Sequence, residues 1–376
     1  ADVPLAHIEV GGPGGSEETM AITPASLATL HSQIATHVRV PDLRARRETR
    51  DNGVVTREAG IGMGFLGFRG DEEGSSAPWP MARTALVLSW PFTESLFLTV
   101  EPSVGGRALR DGSAFRTELA GELRETLVSG PVDGRSQWQV SSWQKGRYLS
   151  GSLSPPGYLE PGRAEAGLVG RMVLPLSSLW QLEAEGGGEG VRYEPDDWRV
   201  LDRQGLNAAL GVARQGTSHS IRLSMRGSHH GFPHPFVEGD ARRRDTRIGV
   251  EVGGSIEGER ILKLSLGGSW NESRLPAYDY RSVRAALVVS VPWGRGSLQG
   301  YAALAHQKYL NPGPEDARVA PSDQDSGSIL SLQYALPLDG TRMLMVRGGW
   351  SRSQTGFRDD FYERFGISAH LTFRGR

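Results

Sequence analysis

The sequence predicts an all-β fold: a transmembrane antiparallel up-and-down β-barrel of about sixteen strands. Three observations carry that expectation. From about residue 59 to Phe373, sixteen stretches of roughly 9–14 residues alternate apolar and polar side chains, the period of a strand with two unlike faces. Tight turns and longer polar loops alternate as the connections between them. Aromatic residues collect at both ends of the strands, where amphipathic rings settle at membrane interfaces.

The first strand is expected at Ala59–Phe68, where Gly60-Ile-Gly-Met-Gly-Phe-Leu-Gly67 reads as a glycine-rich strand. It lacks the strand–turn–helix context of a nucleotide loop. Hairpins follow at Ala82–Trp90 with Ser95–Val104, Phe115–Leu127 with Ser136–Arg147, and Arg163–Leu174 with Trp180–Val191. Leu206–Ala213 and Ser218–Gly227 turn around Gln215-Gly216, and Arg247–Ile256 meets Arg260–Trp270 through Glu-Gly-Glu. Val283–Trp293 and Ser297–Tyr309 are joined by Trp-Gly-Arg-Gly, Ser328–Leu336 and Arg342–Arg352 by Pro-Leu-Asp-Gly, and Phe361–Phe373 is the last strand. The segments Arg69–Met81, Gly105–Gly112, Leu149–Gly162, Glu194–Gln204, His229–Arg243, Glu272–Asp279, Leu310–Ser326 and Gln354–Asp360 read as solvated loops, being rich in Pro, Gly, Asp and Arg. Trp90, Phe92, Trp180, Trp293 and Phe373 fall at the short-turn end. Trp79, Trp270, Tyr280, Tyr309, Trp350, Phe361 and Tyr362 fall at the long-loop end.

Composition is consistent with this reading. Only 38% of the 376 residues are hydrophobic, mean hydropathy is −0.36, and no run of about 18 apolar residues occurs, which excludes membrane-spanning helices. Barrel strands escape that test because every second residue faces the lumen. A soluble propeller or sandwich would show strands of about 5–6 residues, or a repeat of about 40–50, and neither is present. Net charge is −1, so nothing electrostatic calls for nucleic acid. With no cysteine, disulfides and thiolate metal sites are ruled out. The opening Ala-Asp-Val-Pro, without Met or a basic-then-apolar leader, is what an exported protein shows after signal-peptide removal.

Residues 1–58 differ from the rest and read as a short N-terminal periplasmic or plug segment, with 59–376 forming the barrel. Within it, Leu5–Val10 is expected to form a strand and Thr23–Thr36 a short helix, and Arg39–Arg50 is an arginine-rich stretch. Two further strands here would instead make a barrel of eighteen.

The candidate functional surface is the lumen. Arg116, Glu118, Glu122 and Arg124 share one strand face, followed by Arg163, Glu165 and Arg171, then by Glu183, Glu185 and Glu189 on the hairpin partner. Arg222, Arg226, Arg247, Glu251, Lys263, Arg284, Arg347 and Arg364 continue the series. Placing Arg or Lys against lipid near the midplane costs about 2–4 kcal/mol each, so these side chains are expected to point inward. They would line either a hydrated conduit for hydrophilic solutes or a lumen filled by its own ion pairs and the N-terminal segment. His229, His230 and His234 lie in one stretch that could hold zinc or nickel, but a proline-rich loop reads as merely polar, so neither a metal nor a cofactor is expected. No Gly-x-Ser-x-Gly nucleophile motif is present. His306 and His370 are lone strand histidines, and no catalytic residue is assigned.

On these features Ala59–Phe373 resembles the Gram-negative outer-membrane β-barrel superfamily. The final strand, Phe365-Gly-Ile-Ser-Ala-His-Leu-Thr-Phe373, is similar to the alternating C-terminal signal of that family, which typically ends on the aromatic; here Arg-Gly-Arg follows. The resemblance implies an outer-membrane location with short turns and both termini in the periplasm. It also implies contact with lipid and lipopolysaccharide, and handling by barrel-assembly machinery. Sixteen strands with a non-barrel N-terminal segment also resemble exopolysaccharide-export barrels. Three roles follow as expectations: a channel passing or exporting a hydrophilic solute or polymer, polysaccharide among them; a structural barrel anchoring a trans-envelope secretion, pilus or motility complex, with periplasmic or surface partners; and a rim-located hydrolase using the histidines of the 229–234 stretch.

Overall fold

The structure is a computed structural model, and it describes residues 6–11, 17–22, 54–69, 74–75, 79–93, 96–111, 114–129, 136–149, 162–194, 196–235, 242–311, 327–354 and 361–375. The main body is one closed antiparallel sheet of sixteen long strands. In chain order they are β1 (Val54–Arg69), β2 (Trp79–Thr93), β3 (Leu96–Asp111), β4 (Ala114–Ser129), β5 (Gln137–Leu149), β6 (Gly162–Pro175), β7 (Trp180–Glu194) and β8 (Arg203–Gln215). The circuit continues with β9 (His219–Pro235), β10 (Arg242–Ile256), β11 (Ile261–Ser273), β12 (Tyr280–Trp293), β13 (Gly296–Tyr309), β14 (Ser328–Pro337), β15 (Arg342–Gln354) and β16 (Phe361–Gly375). Each strand pairs with its sequence neighbours, and β16 closes the circuit against β1, from Glu363 opposite Arg69 to Gly375 opposite Arg57. Closure leaves no free edge, the condition for a sheet to cross a bilayer.

Residues 6–11 and 17–22 pair with each other as a separate two-stranded ribbon, so they do not add strands seventeen and eighteen. The expected helix at Thr23–Thr36 and the arginine-rich stretch at Arg39–Arg50 lie outside the described residues.

Alternation along each strand sorts side chains to two faces. On β8, Leu206, Leu210 and Val212 are exposed outward, while Ala209 and Ala213 are buried on the lumen side. On β9, Ile221, Leu223 and Met225 point out and Arg222 points in. The outer wall is therefore an apolar belt, with Leu262, Leu264, Leu266, Val283, Leu304, Leu330, Leu332 and Ile367 among its most exposed members.

Connections on the end that carries both barrel termini span two to seven residues; those on the opposite end span two to eighteen. The short exception on the long-loop end corrects one expectation. Most of the expected Gly105–Gly112 loop is strand: β3 runs through Gly105 and Gly106 to Asp111 and pairs with β4 from Asp111–Ala114 onward. Its glycines disguised a strand whose alternation continues, Val104 outward and Arg107 inward.

Two turns show why the chain reverses where it does. Trp293 pairs with Gly296 across Gly294-Arg295, and Gly294 takes a positive φ of 60°, open to glycine at little cost. In the Pro-Leu-Asp-Gly turn, Asp339 accepts hydrogen bonds from the backbone N–H groups of Thr341 (2.9 Å) and Arg342 (2.7 Å) and from the Arg342 guanidinium (2.6 Å).

The terminal-end girdle is as expected, with Trp90, Phe92, Trp180, Trp293 and Phe373 exposed outward, joined by Trp138. At the other end Trp270, Tyr148 and Phe365 face out. Tyr280 does not belong there: it is buried on the lumen side and stacks edge-on with Tyr309, ring centroids 5.8 Å apart. The side chains of Trp79, Phe361 and Tyr362 lie outside the described residues.

Candidate functional site

By strand parity the described members of the charged series face inward, where they form clusters rather than separate rings; the Arg364 side chain lies outside the described residues. Nearest the long-loop end, Glu118 is buried between two arginines. Arg107 Nε donates to Glu118 Oε2 at 2.9 Å, and Arg147 Nε lies 3.2 Å from Oε1. Arg124 donates to Glu122 at 3.0 Å, and Lys145 stands in register between Glu122 on β4 and Glu165 on β6. Glu165 is paired with Arg163 at 2.9 Å. The Arg116 side chain lies outside the described residues, although its backbone shares the parity of Glu118.

Toward the terminal end, Glu183 joins three strands. It accepts from Arg171 (3.0 Å) and Gln181 (2.8 Å) and lies 3.0 Å from Arg222 of β9. Glu185 lies in register with Arg171 across the β6–β7 ladder. Higher on the same strand, Glu189 receives Arg203 (3.4 Å) and His230 (3.5 Å).

The wall from β9 to β15 is different. Arg226, Arg247 and Glu251 face inward from β9 and β10, and Lys263 pairs with Glu257 of the adjoining turn at 3.3 Å. Arg284 donates to the Tyr301 hydroxyl at 3.0 Å, and Arg347 to the Ser331 hydroxyl at 3.2 Å. Here guanidinium groups meet neutral oxygens as well as carboxylates.

The histidine stretch is corrected. Residues 229–234 belong to β9, with a bulge between Gly231 and Pro235, and successive side chains alternate faces. His229 points outward to Thr246 (3.0 Å), while His230 and His234 point inward to Glu189 and Asp202 (3.3 Å). Three imidazoles divided between two faces cannot converge on one ion. Among the described residues no cluster of metal-ligating side chains occurs. His306 faces outward near the long-loop end, and His370 faces the lumen beside Ser368 (3.0 Å).

One arrangement has no counterpart in the sequence reading. At the long-loop mouth the Arg243 guanidinium lies between the rings of Phe232 (4.3 Å) and Tyr278 (3.9 Å) and is bonded to Asp245 through Nε at 2.9 Å. Tyr278 sits on a short 3₁₀ turn, Pro276–Tyr278, tied down by Asn271 donating to its carbonyl (3.0 Å) and by Asp279 accepting from the Ser273 N–H (2.7 Å). Burial pushes the Tyr278 phenol up to about 12, so it stays neutral. A second 3₁₀ turn, Asp196–Leu201, buries Leu201 against Val191 and Tyr193. Packed side chains thus line this side of the mouth. Arg243, Asp245 and Arg247 follow one parity, the only signal by which sequence could have found part of this cluster.

A closed sixteen-strand sheet with an apolar belt, aromatic girdles and a charged lumen defines a transmembrane β-barrel. No family model and no curated protein matches the chain. Similar solved structures include outer-membrane-expressed OmpT of Vibrio cholerae (10% identity, 86% of this chain and 98% of that chain, TM-score 0.46). An anion-selective porin from Comamonas acidovorans is similar at 12% identity (86% and 100%, TM-score 0.44). A bacterial polysaccharide outer-membrane secretin is similar at 11% (85% and 98%, TM-score 0.43). The barrel assignment itself rests on the strand pairing.

Proposed function

We propose that the chain is an outer-membrane channel for hydrophilic solutes that favours anions, with both barrel termini in the periplasm. The supporting observation is the unequal charge of its two walls. From β3 to β8, inward acids and bases are matched and largely joined as ion pairs. From β9 to β15, Arg222, Arg226, Arg243, Arg247, Lys263, Arg284 and Arg347 face inward; Arg222 pairs across with Glu183, Arg243 with Asp245 and Lys263 with Glu257, while Arg226, Arg247, Arg284 and Arg347 face inward with Glu251 as the further acid of these strands. A basic wall in a confined aqueous space raises the local concentration of anions and repels cations. Small carboxylates, phosphates, sulfates and acidic polysaccharides share the chemistry this wall would attract.

The test is the reversal potential of the purified full chain in planar bilayers under a potassium chloride gradient. The expected result is conductance with chloride favoured over potassium, and a shift toward cations in Arg284→Glu with Arg347→Glu. A potassium-selective or silent barrel overturns the reading.

A further inference from the structure

The apolar belt has a polar interruption halfway across the membrane. Glu125 of β4 points outward, as do Ser142 and Gln144 of β5; Glu125 and Gln144 are exposed. On β5 these positions lie between Trp138, in the terminal-end girdle, and Tyr148 at the long-loop end, so they occupy the middle of the belt. Glu125 is in register with Ser142 and accepts its hydroxyl proton at 2.8 Å; Leu123 is in register with Gln144. No ion pair is formed by Glu125 among the described residues. An ionisable side chain facing hydrocarbon is costly, and such groups mark sites where a polar partner replaces lipid.

We propose that this patch is where a second copy of the chain docks in the membrane. The two copies would be related by a two-fold axis along the bilayer normal, beside β4 and β5. The patch is self-complementary: a carboxylate acceptor on one strand and an amide donor on the next. Rotation about that axis presents each Glu125 to the Gln144 of the other copy, the mutual pairing an isologous interface requires. The surrounding outward residues Gly121, Gly146, Ala164 and Ala166 are small, so two walls can approach closely enough for these side chains to bridge. The Leu- and Val-rich wall of β10 and β11 has no outward acid or amide at this depth and is suited to lipid.

The chain has no cysteine, which makes cross-linking unambiguous. Full-length protein carrying Ser142→Cys, reconstituted in phosphatidylcholine vesicles and oxidised, is expected to give a covalent dimer, while Leu264→Cys on the opposite wall gives none. Adding Glu125→Leu and Gln144→Leu to the Ser142→Cys chain is expected to reduce the dimer at least tenfold, with folding checked by circular dichroism. Equal cross-linking at residues 142 and 264 overturns the proposal, as does a dimer that survives loss of Glu125 and Gln144. Conductance does not enter this readout, so it succeeds or fails independently of the channel reading.

Discussion

Asp339 holds a whole reversal of the chain with one carboxylate. Four donors from Thr341 and Arg342 converge on it, and the hydrogen bond from Arg342, first among them, keeps its carboxyl well below the usual carboxylate range. A depressed folded pKa contributes stability that is complete above the ordinary carboxylate value of about 3.9 and is lost as pH falls through the folded value. Asp339→Asn keeps the shape but removes the charge. Its unfolding temperature in detergent micelles should lie below that of the parent at neutral pH, and the gap should narrow as pH is lowered past 4. A gap independent of pH would show that charge is not what fixes the turn. The Pro-Leu-Asp-Gly signal for this turn was readable from sequence because its chemistry is local. The same is true of Gly294, the glycine of a two-residue hairpin.

At the scale of elements, the β3–β4 hairpin shows both the reach and the limit of pattern reading. The run Phe115–Leu127 is recognisable as a strand because its alternation is strong. Its partner is masked at Pro102, Gly105 and Gly106, residues that ordinarily punctuate loops, although every ladder position there is filled. What holds it is non-local: buried Glu118 needs Arg107 from that hidden stretch and Arg147 from β5. Arg107→Leu removes one of two guanidinium partners from a buried carboxylate, at a cost on the order of 3 kcal/mol. Equilibrium unfolding in urea with the barrel in lipid should show that loss, and Glu118→Gln added to Arg107→Leu should recover part of it. The histidine stretch failed for the opposite reason: prolines suggested a loop, yet with a bulge between Gly231 and Pro235 β9 runs through Pro233 to end at Pro235. The Arg243 stack was unreadable because Phe232, Arg243 and Tyr278 come from three elements, brought together by the pairing of β9, β10 and β11.

For the molecule as a whole, the strand count and the terminal-end girdle were legible because each depends only on a period of two and on which face a residue takes. Which inward charges neutralise one another was not legible, since that depends on cross-strand register. Register decides which of these charges pair, and on the proposed channel reading the excess of base left on the β9–β15 wall would carry the selectivity. Selectivity of this origin is screened by salt, with a Debye length of about 10 Å at 0.1 M and about 3 Å at 1 M. The preference for chloride over potassium should therefore weaken steadily as mean salt rises through that range at a fixed gradient ratio. A preference unchanged between those limits would assign selectivity to something other than the wall charge.

The seam between β16 and β1 has a consequence for how the protein comes into being. Every other ladder joins strands adjacent in the chain and can form as soon as a hairpin emerges; this one joins Val54–Arg69 to Phe361–Gly375, about three hundred residues away. Until the last strand arrives, the growing sheet carries two unsatisfied edges, each a template for pairing with the wrong chain. At the seam, Gly62 faces Ala369 and His370 so closely that an added Cβ would clash with the Ala369 carbonyl. A side chain there would hinder the final zipping rather than any earlier hairpin, leaving an open sheet exposed to capture by other chains.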